Sequence, residues 1–250
     1  YSEFHLTGIH YFTVSCVLVP SLTVLYVHMR NGRGSERLLL AALVMTAISL
    51  LIPILCVSRF QLVFAVLLAA FTYISLQKLF HPGWLFGLFV VMIPFYLILT
   101  VARSHNIEYL NGIFEMKNAS MPIFVSQPYI YIANNYDNFN FLVGALPGHS
   151  FGLKGLFPLW ALSGLKFFFP QLINFPIYVD KTELTTLTLF YDSYYDFGWI
   201  GVLLFSCILG AIAYILVVKL REMRNPLGYL LYAQFAAYLM LSFFTTWFSN

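Results

Sequence analysis

The sequence predicts an all-α, polytopic integral membrane protein with about six transmembrane helices and one long external loop carrying interfacial or re-entrant helices. Three observations carry that expectation. Hydrophobic residues make up 60% of the 250 residues, charged residues only 9%, and the mean hydropathy is +0.81, whereas a soluble domain is about half apolar and about a quarter charged. Apolar runs of about twenty residues, the length that crosses a hydrocarbon core of about 30 Å, recur along the chain. The basic residues collect in short loops that fall on one face when the spans alternate.

The expected spans are Ile9 to Met29, Leu38 to Val57, Phe60 to Gln77, Trp84 to Ala102, Phe197 to Leu220 and Leu227 to Phe248. Pro20, Pro53 and Pro94 fall inside three of them, where proline is tolerated if neighbouring helices satisfy the freed carbonyls, so local kinks are expected. Arg30, Arg33 and Arg37 share one loop, Lys78 lies in another, and Lys219, Arg221 and Arg224 share a third. Positive loops face the cytoplasm. That orientation places Arg59, Arg103, both termini and the segment from Arg103 to Asp196 outside. The chain reads as a single membrane domain over residues 1–250 with its external loop at 103–196. It begins at Tyr1 without a methionine and carries no signal-peptide pattern, so it is expected to be part of a longer protein.

Composition also excludes some functions. A net charge of +3 without a basic run offers nothing to track a phosphate backbone, so nucleic acid is not a partner. Cys16, Cys56 and Cys207 lie inside apolar segments, match neither a disulfide framework nor a zinc site, and read as small hydrophobes. The external segment has no closely spaced carboxylate pair and no His/Cys cluster, so no metal and no cofactor is expected.

Ser58-Arg59 interrupts the apolar stretch from Leu38 to Gln77 and leaves a guanidinium between two spans. A charge at that depth is costly unless it has a partner. Two readings of Arg59 are open: a functional cation, or an arginine that snorkels to the interface. Arg103 supplies a second interfacial arginine. The long external segment between the spans is of a size that is usually functional. Within it, Tyr129, Ile132, Ala133, Tyr136, Phe139 and Asn140 recur at helical spacing, alternating with Asn134, Asn135, Asp137 and Asn138. Leu156 to Phe169 is an apolar run too short to span. Both read as helices lying on the bilayer surface, where aromatic residues form an interfacial belt.

Three stretches together resemble the oligosaccharide repeat-unit polymerases, the Wzy-type O-antigen and capsule polymerases of bacterial envelopes. The first is Ser58-Arg59 and the helix Phe60 to Gln77. The second is the tyrosine- and asparagine-bearing run from Tyr129 to Asn140. The third is Tyr191-Asp-Ser-Tyr-Tyr-Asp-Phe-Gly198, continuing Trp-Ile-Gly201. The likeness covers about the C-terminal three quarters of the chain. Members of that family usually carry roughly ten or more spans, and this chain shows only about six.

The resemblance implies a metal-independent glycosyltransferase in the bacterial cytoplasmic membrane, its active site facing the periplasm or exterior. It would move a growing glycan from a polyprenyl diphosphate to a sugar hydroxyl of the next carrier-linked repeat unit. Its partners would be the polyprenyl-diphosphate-linked oligosaccharide, membrane lipid, a chain-length regulator and a flippase. Arg59 and Arg103 would grip the diphosphate, since guanidinium offers planar bidentate donors and stays charged. Tyr129, Tyr136, Asn140, Asp192 and Tyr195 would bind sugar.

A general base has candidates in His105, His149, Glu108, Glu115, Asp137, Asp192 and Asp196. His149, in the glycine-flanked Leu-Pro-Gly-His-Ser-Phe-Gly loop, has the intrinsic pKa suited to the task, against the alternative of an exposed bystander. Asp196 is placed to cap the fifth span, and Lys154, Lys166 and Lys181 read as solvated lysines, any of which could instead assist a phosphate. An O-antigen ligase and a lipid-linked oligosaccharide transporter or structural subunit are the rival classes. Transport is disfavoured because the charges lie at the ends of the spans.

Overall fold

The computed structural model describes residues 14–30, 34–56, 58–77, 83, 86–87, 90, 106–172, 174–220, 222 and 225–243. Among these every regular element is helical. The expected span from Trp84 to Ala102 lies almost wholly outside the described residues, as do Arg103, His105 and the start of the first span. The chain divides into two compact units, one of residues 1–105 and 216–237, the other of residues 106–215 and 238–250.

In the first unit a short 3-10 turn, Cys16–Leu18, leads into α1, Val19–Arg30. Pro20 falls in the first turn of α1, where its missing N–H costs nothing. Gly34, at a φ of +114°, turns the chain towards α2, and Arg30 closes that turn on the Gly34 carbonyl at 3.3 Å and on the Glu36 carboxylate. Helix α2 spans Glu36–Leu55 with Glu36 in its first turn, the end where a helix favours negative charge. Its 20 residues extend about 30 Å.

Helix α3 spans Arg59–Leu76, so Arg59 is its first residue and Ser58 its N-cap. Both helices fall within two residues of the expected spans. On α3, Leu62, Ala65, Leu68 and Thr72 are buried at helical spacing, and α1 packs against both α2 and α3. Hydroxyls join α1 to α2: Thr46 donates to Thr23 Oγ1 at 2.8 Å, and Thr23 in turn reaches the Ala42 carbonyl at 3.3 Å. Small residues and hydroxyl bonds at helix contacts suit packing in a medium without a hydrophobic driving force between helices.

In the second unit, α4 (Ile107–Ile113) is capped by the Asn106 side chain, which accepts from the Tyr109 amide at 3.1 Å. Helix α5 spans Ile123–Ala145. Two short helices follow, α6 (Phe157–Leu162) and α7 (Leu165–Phe168), separated by Gly164 at φ +74°. They replace the single apolar run expected from Leu156 to Phe169. Helix α8 covers Tyr191–Leu220 and is broken at Gly198, while α9 is Leu227–Met240.

Helix α5 buries Asn134, Asn135 and Asn138, while Tyr129 and Tyr136 are each 59% exposed. The reason lies in the segment beside it. Asn138 Nδ2 donates to the carbonyls of Leu184 (2.8 Å) and Thr186 (2.9 Å), its Oδ1 accepts from the Asp180 amide (3.0 Å), and Asn134 also donates to Leu184 (3.0 Å). A buried segment outside helix and strand must find such partners for its backbone, and the amides of α5 provide them.

Two helices, Glu36–Leu55 and Tyr191–Lys219, are long and apolar enough to cross a membrane, and only 11% of either apolar window is buried. A core helix of a soluble protein would be mostly buried, so these faces are built for an apolar surrounding. Three further apolar helices are shorter, at 10–17 residues.

Replacing Asn138 by Leu leaves the Asp180 amide and the Thr186 carbonyl without their partner, at about 1–3 kcal/mol for each buried group. Hydrogen exchange at the Asp180 amide should accelerate about tenfold or more, whereas Asn140→Leu on the exposed face should leave it unchanged. Equal exchange in both variants would remove the amide face of α5 as the support of residues 180–186.

Candidate functional site

Helix α8 is built around a break. Gly198 has φ 63° and ψ −148°, a region that essentially only glycine occupies. Three residues on, a Cβ at Gly201 would collide with the carbonyl oxygen of Ser193, so the chain folds back closely over its own previous turn. Such a break strands carbonyl groups that a continuous helix would pair. Here the loop at 149–155 pairs them. Ser150 N donates to the Tyr195 carbonyl at 3.2 Å and Phe151 N to the Asp196 carbonyl at 3.0 Å. Phe151 holds a φ of +52° to do so, which a bulky residue adopts only under constraint.

The Asp196 carboxylate completes the joint and corrects its expected role as a helix cap. Helix α8 starts five residues earlier, at Tyr191, and the carboxylate turns to the loop instead. It accepts from the backbone N–H groups of Lys154 (3.2 Å) and Gly155 (2.8 Å) and from the Ser150 hydroxyl. Gly155 is required for this approach, since a Cβ there would lie 2.7 Å from Asp196 Oδ2. Ser150 thus gives its proton directly to a carboxylate, and His149 does not lie between them as a nucleophile's base would.

His149 is exposed yet oriented. Its Nδ1 lies 3.3 Å from the Tyr195 carbonyl and its ring meets Tyr194 edge-on at 5.9 Å. A carbonyl only accepts, so this contact places the proton on Nδ1 and leaves the Nε2 lone pair available. Nε2 faces Gly198, where an added Cβ would approach to 3.0 Å.

Lys154 is not the solvated lysine expected from the sequence. Its ammonium is largely buried, 3.4 Å from Asp192 Oδ1 and over the rings of Tyr195 (5.1 Å) and Tyr191 (5.8 Å), so cation–π attraction adds to the ion pair. Lys181 is likewise engaged, with the Ile113 carbonyl at 3.0 Å and Glu115 at 3.1 Å. Tyr191 is fully buried, and its hydroxyl donates to the Tyr178 carbonyl and accepts from the Tyr178 amide, both at 2.8 Å.

The structure therefore brings together His149, Asp192 and Tyr195 from the expected site. Tyr129, Tyr136 and Asn140 lie on the exposed face of α5 instead. Arg59 stands at the start of α3 in the other unit, and Arg103 is outside the described residues. Sequence reasoning missed Ser150 and Gly155, whose only signal was glycine spacing in the loop around His149, and it named Lys154 without its partners.

Against this joint lies an apolar cavity of about 450 Å³, walled by Phe151, Leu156, Phe197, Leu204, Phe205 and Ile208, with Asp192 and Asp196 at its polar side. No family profile, no curated protein and no solved structure matches the chain.

Asp196→Ala removes bonds worth about 1.5–3 kcal/mol each where a charge is involved. Trypsin cleavage after Lys154 should rise at least about tenfold over that of the native protein, since 1.4 kcal/mol is a factor of ten. Unchanged cleavage would mean that the loop is held by something other than Asp196.

Proposed function

We propose that this chain is a membrane glycosyltransferase that polymerises polyprenyl-diphosphate-linked oligosaccharide repeat units on the outer face of the cytoplasmic membrane. The observation that supports it best is the union of two of the stretches that carry the resemblance. The Tyr129–Asn140 run and the Tyr191–Gly201 run are distant in sequence, yet Phe139 meets Tyr194 at 5.5 Å and Trp199 at 6.0 Å edge-on. Leu142 joins Tyr191, Tyr194 and Tyr195 in one buried cluster.

In this reading the acceptor hydroxyl oxygen attacks the anomeric carbon of the donor glycan. The carbon–oxygen bond to the diphosphate breaks, the proton passes to His149 Nε2, and polyprenyl diphosphate leaves. His149 suits the step because its Nδ1 contact fixes the ring with Nε2 as acceptor. Arg59 and Arg103 stabilise the leaving diphosphate by fixed charge, and no metal is needed. The exposed tyrosines of α5 offer flat faces and hydroxyls to sugars. The exposed apolar residues of α6 and α7, among them Leu162, Phe167 and Phe168, lie in the outer membrane interface in this reading.

The deciding experiment is deletion of the gene followed by glycan electrophoresis. Long polymer should vanish while single-repeat product survives; loss of attachment with polymer retained would identify a ligase. Arg59→Lys and Arg103→Lys should each lower polymer yield at least about tenfold at unchanged protein level, because lysine keeps the charge but loses the bidentate fork. Activity should survive exhaustive chelation, and loss reversed by a divalent cation would overturn the metal-free mechanism.

A further inference from the structure

We propose that the cavity beside the Gly198 break binds one acyl chain of a bilayer phospholipid that carries an amine head group. This does not rest on glycan transfer. The cavity walls are hydrocarbon apart from the side formed by Asp192, Ser193 and Asp196. A space of about 450 Å³ is within the range of sites that take small organic ligands, and water entering its apolar part would find few partners. The cavity opens outward, because Phe151, Phe197, Leu204 and Ile208 line it and are also exposed.

The surface on which it opens identifies the occupant. Leu204 and Ile208 sit one turn apart on α8, a helix long and apolar enough to cross a membrane and with little of its surface buried. A chain lying against that helix passes into the cavity without leaving hydrocarbon. Glycines make the room: Gly152, Gly155 and Gly201 line the cavity, and a side chain at Gly155 or Gly201 would meet Asp196 or Ser193 at once.

Charge selects the head group. The charged residues of the lining are Asp192 and Asp196, and the nearby Lys154 offsets one of them from its place against the Tyr191 and Tyr195 rings. Two carboxylates against one ammonium leave a net charge of −1. An ethanolamine head group is neutral overall and can turn its ammonium towards that charge, whereas a phosphatidylglycerol head or a polyprenyl phosphate is net negative, has no ammonium to offer and is repelled.

The full chain, purified in detergent, would be offered dioleoylphosphatidylethanolamine, dioleoylphosphatidylglycerol and a polyprenyl phosphate in turn, and bound lipid counted by native mass spectrometry. One phosphatidylethanolamine should be retained, at least about tenfold more strongly than either anionic lipid. Leu204→Trp and Ile208→Trp fill the cavity from exposed positions and should each reduce that retention about tenfold, with helical circular dichroism as the check on folding. Equal retention of phosphatidylglycerol, preference for the polyprenyl phosphate, or retention unaffected in both folded tryptophan variants would overturn the proposal. If neither variant folds, the comparison of the three lipids on the native protein decides alone.

Discussion

The clasp between the Asp196 carboxylate and the loop at 149–155 is the constraint on which the second unit depends. A helix broken at Gly198 exposes the carbonyls of Tyr195 and Asp196, and exposed backbone acceptors in an apolar setting are costly. The loop cancels that cost by donating Ser150 N and Phe151 N to them, while Asp196 returns the exchange by accepting from Lys154 N and Gly155 N. Because His149 and Lys154 belong to that loop, the same bonds that repair the helix also fix the histidine ring and bury the lysine beside Asp192.

How much of this the sequence disclosed differs by level. Helix existence was legible because apolar length is a strong signal: Leu38 to Val57 became Glu36–Leu55, and Phe60 to Gln77 became Arg59–Leu76. The break at Gly198 was legible only as a glycine among aromatics, and periodicity across it predicted an uninterrupted span beginning at Phe197. Helical spacing marked the tyrosines and asparagines of α5 without saying which of them turn inward, because the partner that buries Asn134 and Asn138 is the backbone of residues 184–186, distant in sequence.

The site was less legible than the fold. His149, Asp192 and Tyr195 could be picked by chemistry, and they do fall around one joint. The residues that organise them could not, since the amides of Ser150, Phe151, Lys154 and Gly155 and the close approach at Gly155 leave no signature in residue type, and the side chains of Ser150 and Lys154 find partners about forty residues away in sequence. Lys154 illustrates the limit. In sequence it is one lysine of an external loop, and only the Tyr191 and Tyr195 rings with Asp192 make it an internal counter-charge.

That counter-charge bears on how the work of the protein is divided. A diphosphate carries several negative charges and needs cations that are not already neutralised. Around the Gly198 joint Lys154 is matched by Asp192, and the net charge of that joint is negative, while Lys181 is held by Glu115 and the Ile113 carbonyl. The joint is therefore suited to groups without net negative charge, and poorly suited to a diphosphate. In the proposed reaction the diphosphate then falls to Arg59 and Arg103, and the unit of residues 106–215 acts on the sugar hydroxyl. In that reading positive and negative tasks belong to different parts of the chain, because one cavity edged by two carboxylates would not stabilise an anionic leaving group and keep its own ion pair.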